Sequence, residues 1–508
     1  VKPFRKRQLV YCLLAIVILI IMSFTLVACG SKTEAPTSSQ QQGANKDLPF
    51  KGITLRVGVG SFAGEGVRMF IPEWEKKTGG KVEVVEFPFG ELYQKLVSAF
   101  TSGVNAFDIV VCASPWMADF AVNGYIIPLD KYWDKKSDWD DVVPSQQALC
   151  MFDGKPYAIP LDGDNHMMFY RKDALENPEY QKKFKEKYGY DLRVPKTWKE
   201  YADIGKFFNG WDWVGDGKTH YGALEAMKPS DTSVYMLVNR ALSYTDVKAV
   251  PGSLFFDPDT MEPQVNNPAW VRALTEYVDV KNYAPPDVLT YGGGEVRGYF
   301  AAGQSALLVE WSDPGQLAND PAKSVIKGKF GTALSPGSYE LYNIKTKQWV
   351  KHSEVQYNPF LAWGGWVAAV TSTSKYPEAA FSFADWLDTK ENSFKAVITP
   401  ASARNPYRKS HFENVKGWEE APIKYVNAKE YLDTIRAAFT QPTTTRDLGI
   451  LFTGRYIEAL DRNMQKAISG QLKPQQALDT CYNEWKQITQ EVGLDIQKKL
   501  YREQNGLK

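Results

Sequence analysis

The chain has 508 residues, of which 60 are Lys or Arg and 59 Asp or Glu, for a formal net charge of +1; 13% are aromatic. That length is too great for one ordinary core and points to two domains of common size. Both signs of charge are scattered, so nothing favours nucleic acid or an anionic membrane face as a partner.

The opening VKPFRKRQ carries Lys2, Arg5, Lys6 and Arg7, and from Leu9 to Ala28 no residue is charged. A basic stretch followed by an apolar run is the layout of an export signal, although about 20 apolar residues would also span a bilayer. The run ends on Ala28, Cys29 and Gly30, and the following SKTEAPTSSQQQGANKDLP has no apolar surface to bury. Leu26-Val27-Ala28-Cys29 resembles the bacterial lipobox. The resemblance implies cleavage before Cys29, a diacylglyceryl group on its thiol and acylation of the new N-terminus, a multi-chain anchor that holds where one chain would not. Residues 1–28 are then a signal peptide and 29–47 a flexible tether. Without residues 1–28 the chain keeps 56 Lys and Arg against 59 Asp and Glu, a net charge of about −3. Cys112, Cys150 and Cys481 remain, an odd and widely spaced set that gives no disulfide framework.

From residue 53 onward, β-like runs alternate with amphipathic patterns: ITLRVGVG, a helix through GVRMFIPEWEKKTG, KVEVVEF, a helix GELYQKLVSAFTSG, then FDIVVCA. Continuous β-branched runs between amphipathic helices call for a parallel sheet covered on both faces, hence the α/β class. The glycines of VGVGSFAGEG match the dinucleotide-binding spacing G-x-G-x-x-G only if Ala63 takes the third place, a weak signal. An ordinary strand-to-helix turn explains them as well.

The order of EWEKKTGGKVEVVEFPFGELYQKLVSAFTSGVNAFDIVVCASPWMADFAVNGYIIPLD resembles the N-terminal lobe of extracellular solute-binding proteins that serve ABC importers for sugars. The likeness continues through GKPYAIPLDGDNHMMFYRKDAL, VPKTWKEYADIGKFF, YFAAGQSALLVEW, WGGWVAAVTSTSKYPEAAFSFADWL and ISGQLKPQQALD, and covers nearly all of the chain from about residue 50. It implies a two-lobed periplasmic-binding-protein-like fold of type II, with ligand in the cleft and closure by hinge motion. By position, lobe 1 comprises residues 48–160 plus 313–366 and lobe 2 residues 161–312 plus 367–508. The crossings are expected near AIPLDGD, VEWSDPG and GGWVAAV, two of which begin as apolar runs and break at Pro or Gly.

A sugar offers hydroxyls that need carboxylate, amide or guanidinium partners and a C–H face that stacks on aromatic rings. The crossings supply both. Trp116 follows the FDIVV run, where open α/β sheets place ligands, though a lone Trp is as readily a core residue. Asp162, Asp164 and Asn165 stand on a Gly-broken crossing, where they could equally form a solvated turn. Trp311 and Asp313 follow Glu310. Trp363 and Trp366 flank Gly364 and Gly365, whose lack of a side chain lets a backbone come close to a ligand, or else marks a bulge. Phe62 and Glu65 are expected on one cleft wall, and Arg404 as a fork of donors from lobe 2.

The chemistry expected is capture, with no catalytic residue, cofactor or metal. The alternative is a secreted carbohydrate-active hydrolase using a carboxylate pair such as Asp162 with Glu310, but no local pattern singles out a pair. HExxH and GxSxG do not occur, and the histidines at 166, 220, 352 and 411 lack ligand spacing. The resemblance implies a lipid-anchored, extracytoplasmic monomer that delivers a sugar or polyol to permease subunits of an ABC transporter.

Overall fold

The computed structural model describes residues 48–507. The expected signal segment, Cys29 and the whole of the tether lie outside the described residues. Among those described, no helix is long and apolar enough to cross a membrane, and Cys112, Cys150 and Cys481 are buried free thiols.

Two sheets organise the chain. In the first, the order is Lys81–Phe87, Thr54–Gly60, Ile109–Ala113, Trp366–Val370 and Ala158–Pro160. The first three are parallel, in register from Thr54 opposite Lys81 to Gly60 opposite Phe87, as the alternation of β-branched runs and helices requires. The intervening helices bury one stripe each. In Leu92–Thr101 that stripe is Leu92, Leu96 and Phe100, at the i, i+4, i+8 spacing of one helix face. Ile71–Thr78 ends at Gly79, whose φ of 77° is the left-handed stop that glycine adopts freely. Ile109–Ala113 is buried throughout, whereas Lys81–Phe87 at the edge alternates between exposed and half-buried. The sheet departs from the all-parallel expectation, because Trp366–Val370 runs antiparallel to both its neighbours.

The second sheet has the order Phe330–Leu334, Met167–Arg171, Ser305–Glu310 and Tyr221–Leu224. Its membership corrects the expected division at two places. The strand Phe330–Leu334, expected with the first lobe, pairs antiparallel with Met167–Arg171. The helix Pro377–Asp388, expected with the second lobe, packs on the first: Trp74 Nε1 donates to Ser382 Oγ (3.3 Å) and Trp386 Nε1 to the Phe70 carbonyl (3.1 Å). The Pro in WSDPG does not send the chain across, since it starts the helix Asp313–Asn319; proline is well suited to a first helical turn.

Two connections between the sheets run side by side. Leu161 N–H donates to the Trp366 carbonyl, and His166 N–H to that of Phe360, both at 2.9 Å. Between those bonds Trp363, Gly364 and Gly365 all adopt left-handed φ values of 63°, 64° and 105°. A Cβ on Gly365 would stand 2.1 Å from the Asp162 carbonyl oxygen, and one on Gly364 2.5 Å from Leu149 and 2.7 Å from Ser114 Oγ. The glycine pair is therefore required by chain packing against chain. Gly365→Ala should lower unfolding stability by on the order of 3 kcal/mol, because it combines a disfavoured φ with a clash against backbone that cannot rotate away. The urea midpoint at unchanged m-value measures this; an unmoved midpoint would contradict the packing.

Candidate functional site

Where the two connections meet the carboxyl end of Ser305–Glu310, a cavity of about 280 Å³ opens. All three expected crossing segments line it, through Asp162 and Asp164, Trp311 and Asp313, and Trp363 and Trp366. Phe62 and Phe89 enter from the 3-10 turns Ser61–Ala63 and Phe89–Glu91 that follow strands of the first sheet, and Asp231, Thr232 and Arg297 from the second side.

The apolar wall is a set of rings in mutual contact. Phe89 stacks on Trp363 at 4.7 Å and 11°, and Phe62 leans on Trp366 at 4.8 Å. Trp363 meets Trp366 edge-on at 5.3 Å and Trp311 at 6.3 Å. The left-handed backbone at Trp363 turns its ring out of the strand direction, and Ser114 Oγ donates to its carbonyl at 2.6 Å. Trp311 Nε1 donates to the Ala362 carbonyl at 3.1 Å, which ties the end of Ser305–Glu310 to the connection carrying Trp363. Buried indole N–H groups held in this way leave ring faces for a ligand.

Opposite stand the carboxylates. Asp162 Oδ1 accepts from the N–H groups of Gly163 (2.8 Å) and Asn405 (2.5 Å), while Oδ2 has no partner among the described residues. Asn405 Nδ2 donates to Asp164 Oδ1 at 3.1 Å and to Asp313 Oδ2 at 3.4 Å. The segment carrying Asn405 is anchored by Arg408, fully buried and paired with Asp388 at 2.7 Å. Burial, with Asp313 nearby, pushes the Asp162 carboxyl up to about 7. Asp164 is also raised, by burial and by repulsion from Asp162 and Asp313. Glu310, behind the cavity, is pushed up to about 7 by burial despite its bond to Arg297 Nε at 2.7 Å. Arg297 reaches Asp313 as well, at 3.3 Å. His166 is lowered to about 3 by burial, so it is a neutral ring packed edge-on against Trp311 at 4.2 Å.

Seven residues anticipated from sequence thus line one cavity: Phe62, Asp162, Asp164, Trp311, Asp313, Trp363 and Trp366. Trp116 lines an adjoining chamber of about 470 Å³ that shares Phe89, Asp231 and Trp363 with the first. The other expected residues do not line the cavity. Glu65 is exposed and faces Arg68 at 3.6 Å, because the loop turns at once into the short helix Glu65–Arg68. Gly364 and Gly365 face protein, as described above. Asn165 is fully buried and donates to the His166 carbonyl at 3.3 Å, with Oδ1 unpartnered. Arg404 is 3% exposed and lies behind Asp162, its Nη1 unpartnered.

Sequence reasoning missed Phe89, Asp231, Thr232 and Arg297. The run Gly292-Gly293-Gly294 was the available signal: a Cβ on Gly292 would meet the Asp231 carboxylate at 2.5 Å, and Gly293 N–H donates to Asp231 Oδ1 at 3.1 Å. That close approach sets the helix Gly293–Ala301, and with it Arg297, against the cavity. Away from the cavity, carboxylate and imidazole atoms of Asp212, Asp216 and His220 lie within 4.8 Å of one another. Asp212 accepts the Gly215, Asp216 and Gly217 N–H groups, and His220 bonds to Asp216 and the Gly303 carbonyl, so this cluster closes a turn.

A family profile described as bacterial extracellular solute-binding protein matches residues 63–393. A probable ABC transporter-binding protein of Deinococcus radiodurans is 26% identical over 352 residues, 65% of this chain and 71% of that protein. A mannitol-binding protein of Pseudomonas aeruginosa is 24% identical over 300 residues, 58% of this chain and 59% of that protein. Among solved structures, a solute-binding protein from Agrobacterium radiobacter K84 in complex with ribitol superposes with a TM-score of 0.69 at 22% identity, covering 87% of this chain and all of that one. Maltose-bound T. maritima MalE3 gives a TM-score of 0.67 at 20% identity, covering 86% of this chain and all of the other. The fold they share with this chain is the two-lobed α/β fold of such receptors. With a match that spans well over half its length, the chain belongs to the bacterial extracellular solute-binding protein family.

Proposed function

We propose that this chain captures a carbohydrate, a mono- or oligosaccharide or polyol, between two lobes and delivers it to the permease subunits of an ABC transporter. One observation carries the proposal: the carboxylates of Asp162, Asp164 and Asp313 face the rings of Trp311, Trp363 and Trp366 across a single cavity. Carboxylates accept from hydroxyls, and indole faces stack on the C–H face of a sugar ring. The relatives named above for mannitol, ribitol and maltose support this ligand class.

The first lobe is built on the sheet of Thr54–Gly60 and the second on that of Met167–Arg171. Closure about the connections near residues 161–166 and 359–366 would bring Phe62 and Phe89 toward Asp231 and Arg297 around the ligand. The protein acts as a monomer outside the cytoplasm, exported by residues 1–28 and held to the membrane by lipid on Cys29, with residues 29–47 as the tether. Capture without chemistry is the working mode, and a bound sugar leaves unchanged.

Trp366→Ala and Phe89→Ala should each weaken sugar affinity by about 1–3 kcal/mol, the usual cost of losing an aromatic anchor. Titration calorimetry on the folded variants measures this. Phe89 is half-buried and opens the short 3-10 turn Phe89–Glu91, outside the sheets, so its variant separates lost binding from lost stability; unchanged affinity in both would remove this wall from the site. Cys29→Ser should abolish fatty-acid labelling of the protein and leave residues 1–28 attached, read by intact mass; a variant that still takes lipid would contradict the anchor.

A further inference from the structure

The charge and hydrogen-bond inventory of the cavity narrows the ligand beyond carbohydrate in general, and rests on that reading. Four carboxylates line it, those of Asp162, Asp164, Asp231 and Asp313, with Glu310 behind. Among the described lining residues the only basic one is Arg297, already bonded to Glu310 at 2.7 Å and to Asp313 at 3.3 Å. Two further cations stand near. Arg404 is buried behind Asp162, and Lys228 lies 3.6 Å from Asp231 at the half-exposed edge. The adjoining chamber repeats the bias: Asp231, Glu458 and Asp461 line it with Arg455, which is paired at 2.6 Å with Glu491.

Of the unpartnered buried atoms, the one on a lining residue is an acceptor, Asp162 Oδ2; around the cavity Glu310 Oε1, Asn165 Oδ1 and Asn405 Oδ1 accept, Arg404 Nη1 donates, and the Ser312 hydroxyl and the neutral His166 ring supply both. Asp162 is 1% exposed yet lines the cavity, so its free oxygen is a built feature of the wall. An anionic ligand finds little here. The N-terminus of the helix Gly293–Ala301, a natural anion seat, is already covered, since Gly293 N–H donates to Asp231 and Gly292 N–H to Glu295 at 2.9 Å.

A hydroxyl brings one proton and its own lone pairs to an acceptor-rich wall. An ammonium brings three donors and no acceptor, its charge offsets the clustered carboxylates, and the faces of Trp363, Trp366 and Trp311 attract cations. We propose that the ligand is a carbohydrate carrying a free amino group, an amino sugar or amino-polyol whose ammonium sits among Asp162, Asp164 and Asp231. Neutral sugars and sugar phosphates are the poorer fits.

Calorimetric titration of the whole mature protein with matched pairs tests this: glucosamine against glucose, glucamine against sorbitol, and fully deacetylated chitobiose against cellobiose. In at least one pair the amine should bind ten-fold or more tightly than its hydroxyl partner, and N-acetylation should abolish the gain. Asp164→Asn, and Asp231→Asn should the first not fold, should narrow the gap by weakening the amine alone. If the neutral partner binds as well or better in every pair that binds, the amino-group assignment is overturned and carbohydrate capture stands. If no member of any pair binds, neutral or amino, carbohydrate capture fails and this inference with it.

Discussion

A backbone packed on a backbone governs the site. Gly365 lies so close to the Asp162 carbonyl that no side chain fits between them, and this contact sets two connections side by side. It places four of the residues that line the cavity: Asp162 and Asp164 on one connection, Trp363 and Trp366 on the other. The left-handed turn that brings Gly365 into position also carries Trp363, whose ring stacks on Phe89 and meets the edge of Trp366. Such φ values disfavour a tryptophan. They are maintained because the Ser114 hydroxyl holds its carbonyl and its ring is packed among Phe89, Trp116, Tyr235 and Trp311. A receptor that must recognise its ligand the same way in each cycle gains from rings that cannot reorient.

The polar half of the site follows an opposite logic. Burying several carboxylates near one another raises their proton affinity, and it does so here at Asp162, Asp164 and Glu310. Backbone N–H groups from Gly163 and Asn405 and the Arg297 guanidinium only partly offset the burial. The protein maintains a site more acidic than its own contacts can satisfy, and a ligand with donors to offer relieves it. On the proposed reading, aromatic walls and an underprovided acidic floor would together supply affinity for a donor-bearing ligand as the cleft closes around it.

Much of this was legible in the sequence, and the reasons are local. The runs LRVGV, KVEVVEF and IVVCA are β-branched and flanked by Gly or Asp, so strands there needed no tertiary knowledge. Two of the expected crossings showed themselves because a chain leaving a sheet must break its apolar run, and Gly163 and Gly364 mark those breaks, whereas Pro314 begins a helix and the chain stays with its sheet. The function assigned to the glycines was not legible, since a close approach to ligand and a close approach to another connection demand the same absence of Cβ. The direction of Trp366–Val370 was also hidden, because an inserted strand of WVAAV reads the same parallel or antiparallel. Arg297 and Asp231 lay beyond reach for a different reason. Each sits on a helix or loop with no motif of its own, and only the packing of Gly292 against Asp231 brings them to the cavity.

Ligand-induced stabilisation is the most direct measure of the central claim, since whatever binds only the folded chain raises its melting temperature. A thermal-shift screen of the mature protein should find at least one sugar, polyol or amino derivative that raises Tm in a concentration-dependent way, with the compound recovered intact afterwards. A flat response to every carbohydrate, or recovery of cleaved products, would contradict the account.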